Sequence, residues 1–152
     1  MSKLMMLIGP SGSGKSTLAR LLGGVHLSSD AIREELWGDA SDQRNGAEVF
    51  RVLNERTVAT LKEGKDVVYD ATNLFAKNRK ALIEDIRAEV PGCFFEAYVC
   101  DTPLEECIAR QDLRDRKVPV EVIERQYSRL QLPTLDEGWD AILKFKANAP
   151  SA

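Results

Sequence analysis

Short apolar runs alternate with longer amphipathic segments along the chain. The apolar runs predict strands near residues 3–9, 25–30, 66–73, 93–103 and, after a turn, within 132–145. The amphipathic segments between them predict helices over residues 15–22, 31–37, 46–63, 77–88, 104–113 and 120–130. Strands that alternate with helices imply a parallel sheet covered by helices on both faces. The pattern therefore predicts an α/β fold in three layers.

Several element boundaries also have sequence signals. Gly23 and Gly24 are expected to stop the first helix, and Thr102 followed by Pro103 is expected to cap the fifth one. No repeat or low-complexity linker interrupts the pattern, so residues 1–146 are predicted to form one domain and residues 147–152 a disordered tail. In a parallel sheet, ligands bind outside the carboxyl ends of the strands. Functional side chains are therefore expected just after each strand.

Composition excludes several classes of protein. Of the 152 residues, 43% are hydrophobic and 30% are charged, which is ordinary for a water-soluble domain. The sequence has no apolar run of bilayer-spanning length, so we expect a cytoplasmic protein with no membrane partner. Three cysteines without a C-x-x-C pair, and one histidine, do not favour a zinc site. A net charge of −3 argues against broad, non-specific binding to duplex nucleic acid.

The segment GPSGSGKS (residues 9–16, called the glycine loop below) lies between the first strand and the first helix. It satisfies the pattern G-x-x-x-x-G-K-[ST], in which main-chain N–H groups surround phosphate oxygens. A plain glycine-rich turn is the alternative, but both flanks favour a nucleoside triphosphate site. Lys15 is expected to span the β- and γ-phosphates and the Ser16 hydroxyl to ligate Mg²⁺. The predicted nucleotide-binding residues here are Gly9, Pro10, Ser11, Gly12, Ser13, Gly14, Lys15, Ser16 and Thr17.

The glycine loop alone does not distinguish a GTPase, an ATP-driven motor and a kinase. The sequence contains neither N-K-x-D nor D-x-x-G, the segments with which a GTPase recognises guanine and senses the γ-phosphate. Motor ATPases usually need a longer chain than this one. A kinase that uses ATP, or another NTP, with Mg²⁺ is therefore the leading interpretation.

Asp30 and Arg33 follow the second predicted strand in the segment SSDAIRE. A kinase needs a carboxylate beside the hydroxyl that receives the phosphate, and Asp30 could accept the proton of that hydroxyl. Arg33, one helical turn later, could bind an anionic part of the acceptor. The alternative is that Asp30 merely caps the helix that follows it. This segment alone does not decide between the two interpretations.

The segment VVYDATN supplies a second group of candidates. An aspartate after an apolar strand occupies the position at which many nucleotide-binding proteins hold Mg²⁺ and its waters, so Asp70 is a candidate metal ligand and acceptor contact. Thr72 and Asn73 are expected to face the cleft and to contribute to acceptor binding. The alternative is a turn that Asp and Asn side chains close.

The third group lies in the charged segment RQDLRDRKVP. Arg110 and Arg114 are four residues apart, so on one helix they would share a face. They could form a lid whose guanidinium groups close on the β- and γ-phosphates. A solvated charged helix is the more usual meaning of such a segment.

Taken together, the chain resembles the 5′-hydroxyl polynucleotide kinase module of phage end-healing enzymes and bacterial RNA-repair proteins. The similarity rests on GPSGSGKST, SSDAIRE, YDATN, the R-x-x-x-R of RQDLR, and VPVEVIERQYSRL, which together span almost the whole chain. The resemblance implies a three-layer P-loop kinase fold with a helical arginine lid. It also implies transfer of the γ-phosphate of ATP to the 5′-OH end of DNA or RNA.

By this resemblance, Asp30 is the general base and Arg33 contacts the phosphate on the 3′ side of the terminal nucleoside. Arg110 and Arg114 bind the triphosphate, and Lys15 and Arg114 act in catalysis. The chain lacks the D-x-D-x-T motif of the phosphatase domain that phage enzymes carry, so we expect no 3′-phosphatase activity. A small-molecule kinase and a non-catalytic nucleotide-binding regulator remain as alternatives. Self-association into a homo-oligomer is left open.

Overall fold

The centre of the fold is a five-stranded parallel sheet. The structure is a computed structural model that describes residues 2–40, 45–113 and 117–146. Its strands are β1 (Lys3–Ile8), β2 (Val25–Ser28), β3 (Val67–Asp70), β4 (Phe94–Cys100) and β5 (Ala141–Phe145). They lie in the order β2-β3-β1-β4-β5, and every pair of neighbours is parallel. The alternation of strands and helices in the sequence thus gave the correct class of sheet.

Helices connect successive strands, as parallel pairing requires. In chain order they are α1 (Lys15–Leu22), α2 (Ser29–Trp37), α3 (Gly46–Lys62), α4 (Ala76–Glu89), α5 (Leu104–Ala109) and α6 (Val120–Arg129). Two 3₁₀ turns, Arg110–Leu113 and Leu135–Glu137, complete the described elements. The predicted helices at residues 15–22, 46–63 and 77–88 agree with these bounds to within one residue.

The core has two parts, one on each face of the sheet. On one face, alternate residues of β1, β3 and β4 pack against Ile32 of α2, Leu53 of α3 and Ile83 of α4. On the other face, Met5, Leu7 and Val68 pack against Leu18 and Ala19 of α1. The molecule therefore has three layers, as the sequence predicted, and it has the P-loop kinase fold.

The order of the strands places the glycine loop at the centre of the sheet's carboxyl edge. The chain runs from β1 to β2 and β3 on one side, and then crosses to β4 and β5 on the other. The loop after β1 lies at the point where this direction reverses, which is where open α/β sheets bind their ligands. The segments after β2 and β3 reach the same edge from one side, and α5 after β4 reaches it from the other.

The second strand is shorter than predicted, which changes the setting of Asp30. The strand ends at Ser28, and Ser29 and Asp30 already lie in the first turn of α2. The helix begins early because the Ser28 hydroxyl accepts a hydrogen bond from the N–H of Ala31, at 2.9 Å. Ser28 is therefore the N-cap, and the alternative that Asp30 caps this helix is wrong.

The region after β4 also differs from the prediction. Thr102 does not cap α5, because its hydroxyl donates instead to the carbonyl of Ser13 in the glycine loop, at 2.7 Å. The predicted helix 104–113 is α-helical only to Ala109 and continues as a 3₁₀ turn from Arg110. Arg114 lies outside the described residues, so the predicted shared face with Arg110 stays a prediction.

A buried ion pair ties α4 to the second 3₁₀ turn. Arg79 Nε and Nη2 donate to the two carboxylate oxygens of Glu137, at 2.8 and 3.1 Å, and both residues are at most 5% exposed. Burial works to raise the pKa of Glu137, but hydrogen bonds from Arg79 and Trp139 outweigh it and hold this pKa below its usual value. Arg79 Nη1 also donates to the carbonyl of Asn73, at 2.8 Å. The pair therefore fixes the segment that follows β3.

We expect Arg79→Ala to be one of the most destabilising single substitutions in the chain. It leaves the Glu137 carboxylate buried without its cation, which typically costs about 3–5 kcal/mol of unfolding free energy. Urea denaturation followed by circular dichroism measures this loss. The matched control is Lys62→Ala, which removes an exposed ion pair with Glu89 and should cost less than about 1 kcal/mol. Equal losses of unfolding free energy in the two variants would contradict the conclusion that Arg79 and Glu137 form a buried ion pair.

Among the residues that the structure describes, no helix combines the length and the apolar character needed to cross a membrane.

Candidate active site

The glycine loop is held by main-chain hydrogen bonds at both ends. The N–H of Gly9 donates to the carbonyl of Thr72, at 3.0 Å, and the N–H of Ser13 donates to the carbonyl of Pro10, at 3.2 Å. Gly14 ends the loop with a positive φ of 104° and stands at the N-cap of α1. Gly14 has no side chain with which to cap the first turn of α1, so the N–H groups of that turn can bind an anion.

Two glycines of the loop cannot be replaced without a shift of the atoms around them. Gly12 has φ of 83°, and a Cβ atom there would collide with the carbonyl oxygen of Cys107. A Cβ on Gly9 would come within 2.6 Å of the Ser13 hydroxyl. The outer side of the loop thus packs against the second half of α5, and its inner side faces the cavity described below.

Lys15 lies across the inner side of the loop. Its ammonium group donates to the carbonyl oxygens of Gly9 and Pro10, both at 3.0 Å. The lysine side chain therefore reaches from the end of the loop back to its first two residues. This position at the N-terminus of α1 is suited to an anion, because the helix dipole and the lysine add their positive potentials there.

A cavity of about 480 Å³ opens above the glycine loop. The described part of its wall contains much of the loop together with three cations and two carboxylates. The lining residues are Ser11, Gly12, Gly14, Lys15, Ser16, Thr17, Arg20, Asp30, Asp70 and Arg110. The sequence analysis predicted seven of these residues to bind the nucleotide, and Asp30 and Asp70 to bind the acceptor. It did not predict Arg20.

Asp30 enters the cavity from the first turn of α2. Its side chain is half exposed, and one carboxylate oxygen lies 3.2 Å from Nη1 of Arg33. Arg33 itself is buried and does not line the cavity. Its Nε has no hydrogen-bond partner in the described part of the chain. Arg33 therefore stands directly behind the carboxylate and helps to fix its orientation.

Asp70 reaches the cavity from the end of β3 and pairs with His26 of the neighbouring strand. The parallel register sets Ser28 beside Asp70, and His26 Nε2 lies 2.8 Å from Asp70 Oδ2. The Asp70 side chain is largely buried, whereas that of His26 is about half exposed. The hydrogen bond with Asp70, together with its charge, raises the pKa of His26 above the ordinary value in spite of partial burial.

The His26–Asp70 pair predicts a measurable titration. Because the pKa of His26 is raised in the folded state, its contribution to stability is complete below the unfolded pKa of about 6.5 and is lost as the pH rises through the folded pKa. NMR titration of the imidazole should give a pKa above about 6.5, and Asp70→Asn should return it towards that value. An imidazole pKa that is the same in both proteins would contradict the pairing.

Thr72 and Asn73 lie beside the glycine loop but do not line the cavity. The Asn73 amide donates to the carbonyls of Leu7 and Ala71, at 2.6 and 3.1 Å, and its backbone has a positive φ of 52°. The carbonyl of Thr72 accepts the N–H of Gly9. These contacts favour the turn interpretation for Asn73, whose amide joins the segment after β3 to the end of β1 instead of lining the cavity.

The segment around the predicted lid contacts the glycine loop through two glutamines. Gln126 of α6 accepts the N–H of Ser11 at 2.9 Å. Gln111 is buried beneath Gly12 and accepts the N–H of Val118 at 2.8 Å. Arg110 lines the cavity. One flank of the lid segment is therefore hydrogen-bonded to the glycine loop and the other lies beside Gly12. The sequence analysis missed both connections.

The site fits a nucleoside triphosphate better than a protein-bound metal cluster. A concave glycine main chain, a helix N-terminus and two nearby cations suit phosphate groups. Within the described ranges, no group of three or more His, Cys, Asp or Glu side chains could hold a metal ion. Mg²⁺ normally takes one or two protein oxygens and completes its shell with phosphates and water, which Ser16 and Asp70 could satisfy. The nearby thiol of Cys100 is buried, which raises its pKa to about 11 and keeps it neutral.

Comparison with known proteins supports this interpretation of the site. The model of one protein family, described as an AAA domain, matches residues 4–133. The chain belongs to this family. The match begins in β1 and ends after α6, so it includes every segment that lines the cavity of this AAA domain. No curated protein sequence gives a significant match.

Solved structures with the same fold include kinases that act on different substrates. A provisionally assigned kinase from Chloroflexus aurantiacus is 20% identical, with a TM-score of 0.73, and the match covers 95% of this chain and 88% of that one. The APS kinase CysC of Mycobacterium tuberculosis, solved with AMPPNP and APS, is 27% identical, with a TM-score of 0.61 and coverage of 94% and 88%.

A chain of the Pnkp1/Rnl/Hen1 RNA repair complex is 28% identical, with a TM-score of 0.65. The match covers 86% of this AAA domain but only 44% of that chain. The chain described here thus spans less than half of the RNA-repair chain that it matches. These similarities support a phosphotransferase of the P-loop kinase type and leave its acceptor undecided.

Proposed function

We propose that this protein transfers the γ-phosphate of ATP to the 5′-hydroxyl of a polynucleotide. The observation that carries the proposal is the placement of Asp30 and Lys15 in one cavity. A carboxylate and a phosphate-binding loop that face one space can hold a hydroxyl and a triphosphate together. The similarity to the RNA-repair chain, and the segments SSDAIRE and RQDLR, support a polynucleotide as acceptor.

Most of the lining residues then have a role. The main-chain N–H groups of the glycine loop bind phosphate oxygens, and Lys15 exchanges its loop carbonyls for the β- and γ-phosphates. Asp30 orients the acceptor hydroxyl and takes its proton, while Arg33 keeps the Asp30 carboxylate in place. Arg110 and Arg114 stabilise negative charge on the transferred group. Ser16 and Asp70 would hold Mg²⁺, which would neutralise phosphate charge.

A kinase for a small anionic molecule is the second candidate function. The match to the APS kinase covers nearly all of both chains, whereas the match to the RNA-repair chain covers less than half of it. The net charge of −3 also favours a small acceptor over a long polyanion. Both candidates use the same cavity, so the acceptor alone distinguishes them. A non-catalytic nucleotide-binding regulator, the third candidate, would bind ATP without transfer to any acceptor.

The experiment is a competition between acceptors. Purified protein is incubated with γ-³²P-labelled ATP, Mg²⁺, a 5′-OH oligonucleotide and a panel of small hydroxyl compounds that includes APS. We expect label at the 5′ end of the oligonucleotide and none on an oligonucleotide whose 5′ end is already phosphorylated. Label only on a small molecule would establish the second candidate, and ATP binding without any transfer would favour the third.

A further inference from the structure

Among the described residues that line the cavity, Arg20 is the one cation to which the proposed reaction gives no role. It lies in the last turn of α1, is exposed to solvent, and lines the same cavity as Asp30 and Asp70. No described residue forms an ion pair with it. The usual explanation of a basic residue in this position is a favourable interaction with the helix dipole. That explanation does not require the side chain to lie in the cavity wall.

Helix geometry explains how Arg20 reaches the cavity. Ser16, Thr17 and Arg20 are three and four residues apart, so they share one face of α1. Side chains on a helix lean towards its N-terminus, and Arg20 begins only about 6 Å along the axis from Ser16. Its guanidinium group therefore projects back towards the mouth of the site instead of away from it.

The topology places Arg20 on the acceptor side of the cavity. Helix α1 leaves the sheet after β1 and delivers the chain to β2, two strands away, so it passes over β3. It therefore covers the half of the sheet that contains β3 and β2, the strands after which Asp70 and Asp30 follow. Arg110, which follows β4, enters from the opposite side. Arg20 thus shares its half of the cavity with the two carboxylates, and Arg110 lies in the other half.

We propose that Arg20 binds a phosphate of the acceptor strand, and this inference rests on the proposed function. An exposed guanidinium group with no carboxylate partner can make a charge-assisted, bidentate contact with a phosphodiester. Arg33, to which the family resemblance gives an acceptor phosphate, is buried and lies behind Asp30. Arg20 would supply an additional contact and make the site prefer a strand end to an uncharged hydroxyl compound.

The test compares Arg20→Ala and Arg20→Lys with a matched control, Lys80→Ala. Lys80 is exposed on α4 and does not line the cavity, so its loss changes the net charge equally without touching the site. Binding of a 3′-labelled 5′-OH oligonucleotide is measured by fluorescence anisotropy with AMPPNP and Mg²⁺, over a range of salt concentrations. Thermal melts confirm that the variants fold.

We expect Arg20→Ala to weaken oligonucleotide binding about tenfold and Arg20→Lys to weaken it less. The slope of log K against log[salt] should also fall by about 0.7 in Arg20→Ala, because one phosphate contact with a single strand is lost. Lys80→Ala should change neither quantity, and the KM for ATP should stay at the wild-type value in all variants. A purely structural role for Arg20 would not alter the salt slope.

A nucleoside 3′-monophosphate, used as a second acceptor, identifies which phosphate is bound. Weakened binding of both acceptors assigns Arg20 to the terminal phosphate, and weakened binding of the oligonucleotide alone assigns it to a phosphate farther along the strand. Unchanged binding of both, or a raised KM for ATP instead, would overturn the inference while leaving the proposed function intact. A wild-type protein that neither binds nor phosphorylates the oligonucleotide would overturn both.

Discussion

Replacing Asp30 with alanine is expected to lower kcat by about 10²- to 10⁴-fold, the usual contribution of a general base. The reason is that no other carboxylate lines the cavity on α2, so the acceptor hydroxyl would lose the group that orients it and removes its proton. Steady-state transfer of label from ATP to a 5′-OH oligonucleotide measures the effect. The KM for ATP should change little, because the glycine loop is intact.

The structure also defines the controls for Asp30. Its side chain is half exposed, and its ion pair with Arg33 joins residues three apart on the same helix, so the melting temperature should stay near that of the wild type. Glu34→Ala removes a neighbouring exposed carboxylate of α2 that does not line the cavity and should leave kcat unchanged. Full activity in a normally folded Asp30→Ala protein would show that Asp30 is not the general base.

Arg110→Ala should lower kcat by at least about 10³-fold, and Arg114→Ala by a similar factor. A guanidinium group directed at a transferred phosphoryl group contributes about 10³- to 10⁵-fold, since negative charge develops there as the bond to the leaving oxygen breaks. Arg110 lines the cavity from the side opposite Asp30, which suits this role. Single-turnover kinetics with saturating ATP separates this loss from weaker binding.

Lysine substitutions provide the matched comparison for the arginines. Arg110→Lys keeps the charge but loses the planar, bidentate donor, so we expect activity between that of the wild type and that of Arg110→Ala. The competing interpretation, a solvated charged segment, predicts that all these variants keep the wild-type kcat. That result would eliminate the lid from the mechanism.

The sequence revealed the features that depend on neighbouring residues. The glycine loop, its strand and its helix form a contiguous pattern whose backbone requirements are local, so GPSGSGKS predicted the position of Lys15 and the first turn of α1 correctly. Apolar runs likewise located the strands. The position of Asp30 was approximately correct, but the Ser28 N-cap, itself a local signal, moved it from the strand into the helix.

The features that were missed join residues far apart in the chain. Gln126 and Ser11 are separated by 115 positions, and no periodicity links them. The sequence does contain one indication of the Arg79–Glu137 pair, because Arg79 lies on the same buried face of α4 as Leu82, Ile83 and Ile86. A cation in such a position implies a buried partner. The pairing of His26 with Asp70 depends on β2 lying beside β3, which the order of elements alone does not specify.

The most direct measurement is a crystal structure with AMPPNP, Mg²⁺ and a short 5′-OH oligonucleotide bound together. We expect the triphosphate on the glycine loop and the 5′-oxygen within about 2.6–3.2 Å of an Asp30 carboxylate oxygen, in line with the γ-phosphorus. An oligonucleotide whose 5′ end lies away from Asp30, or an Asp30 side chain turned away from the γ-phosphate, would contradict it.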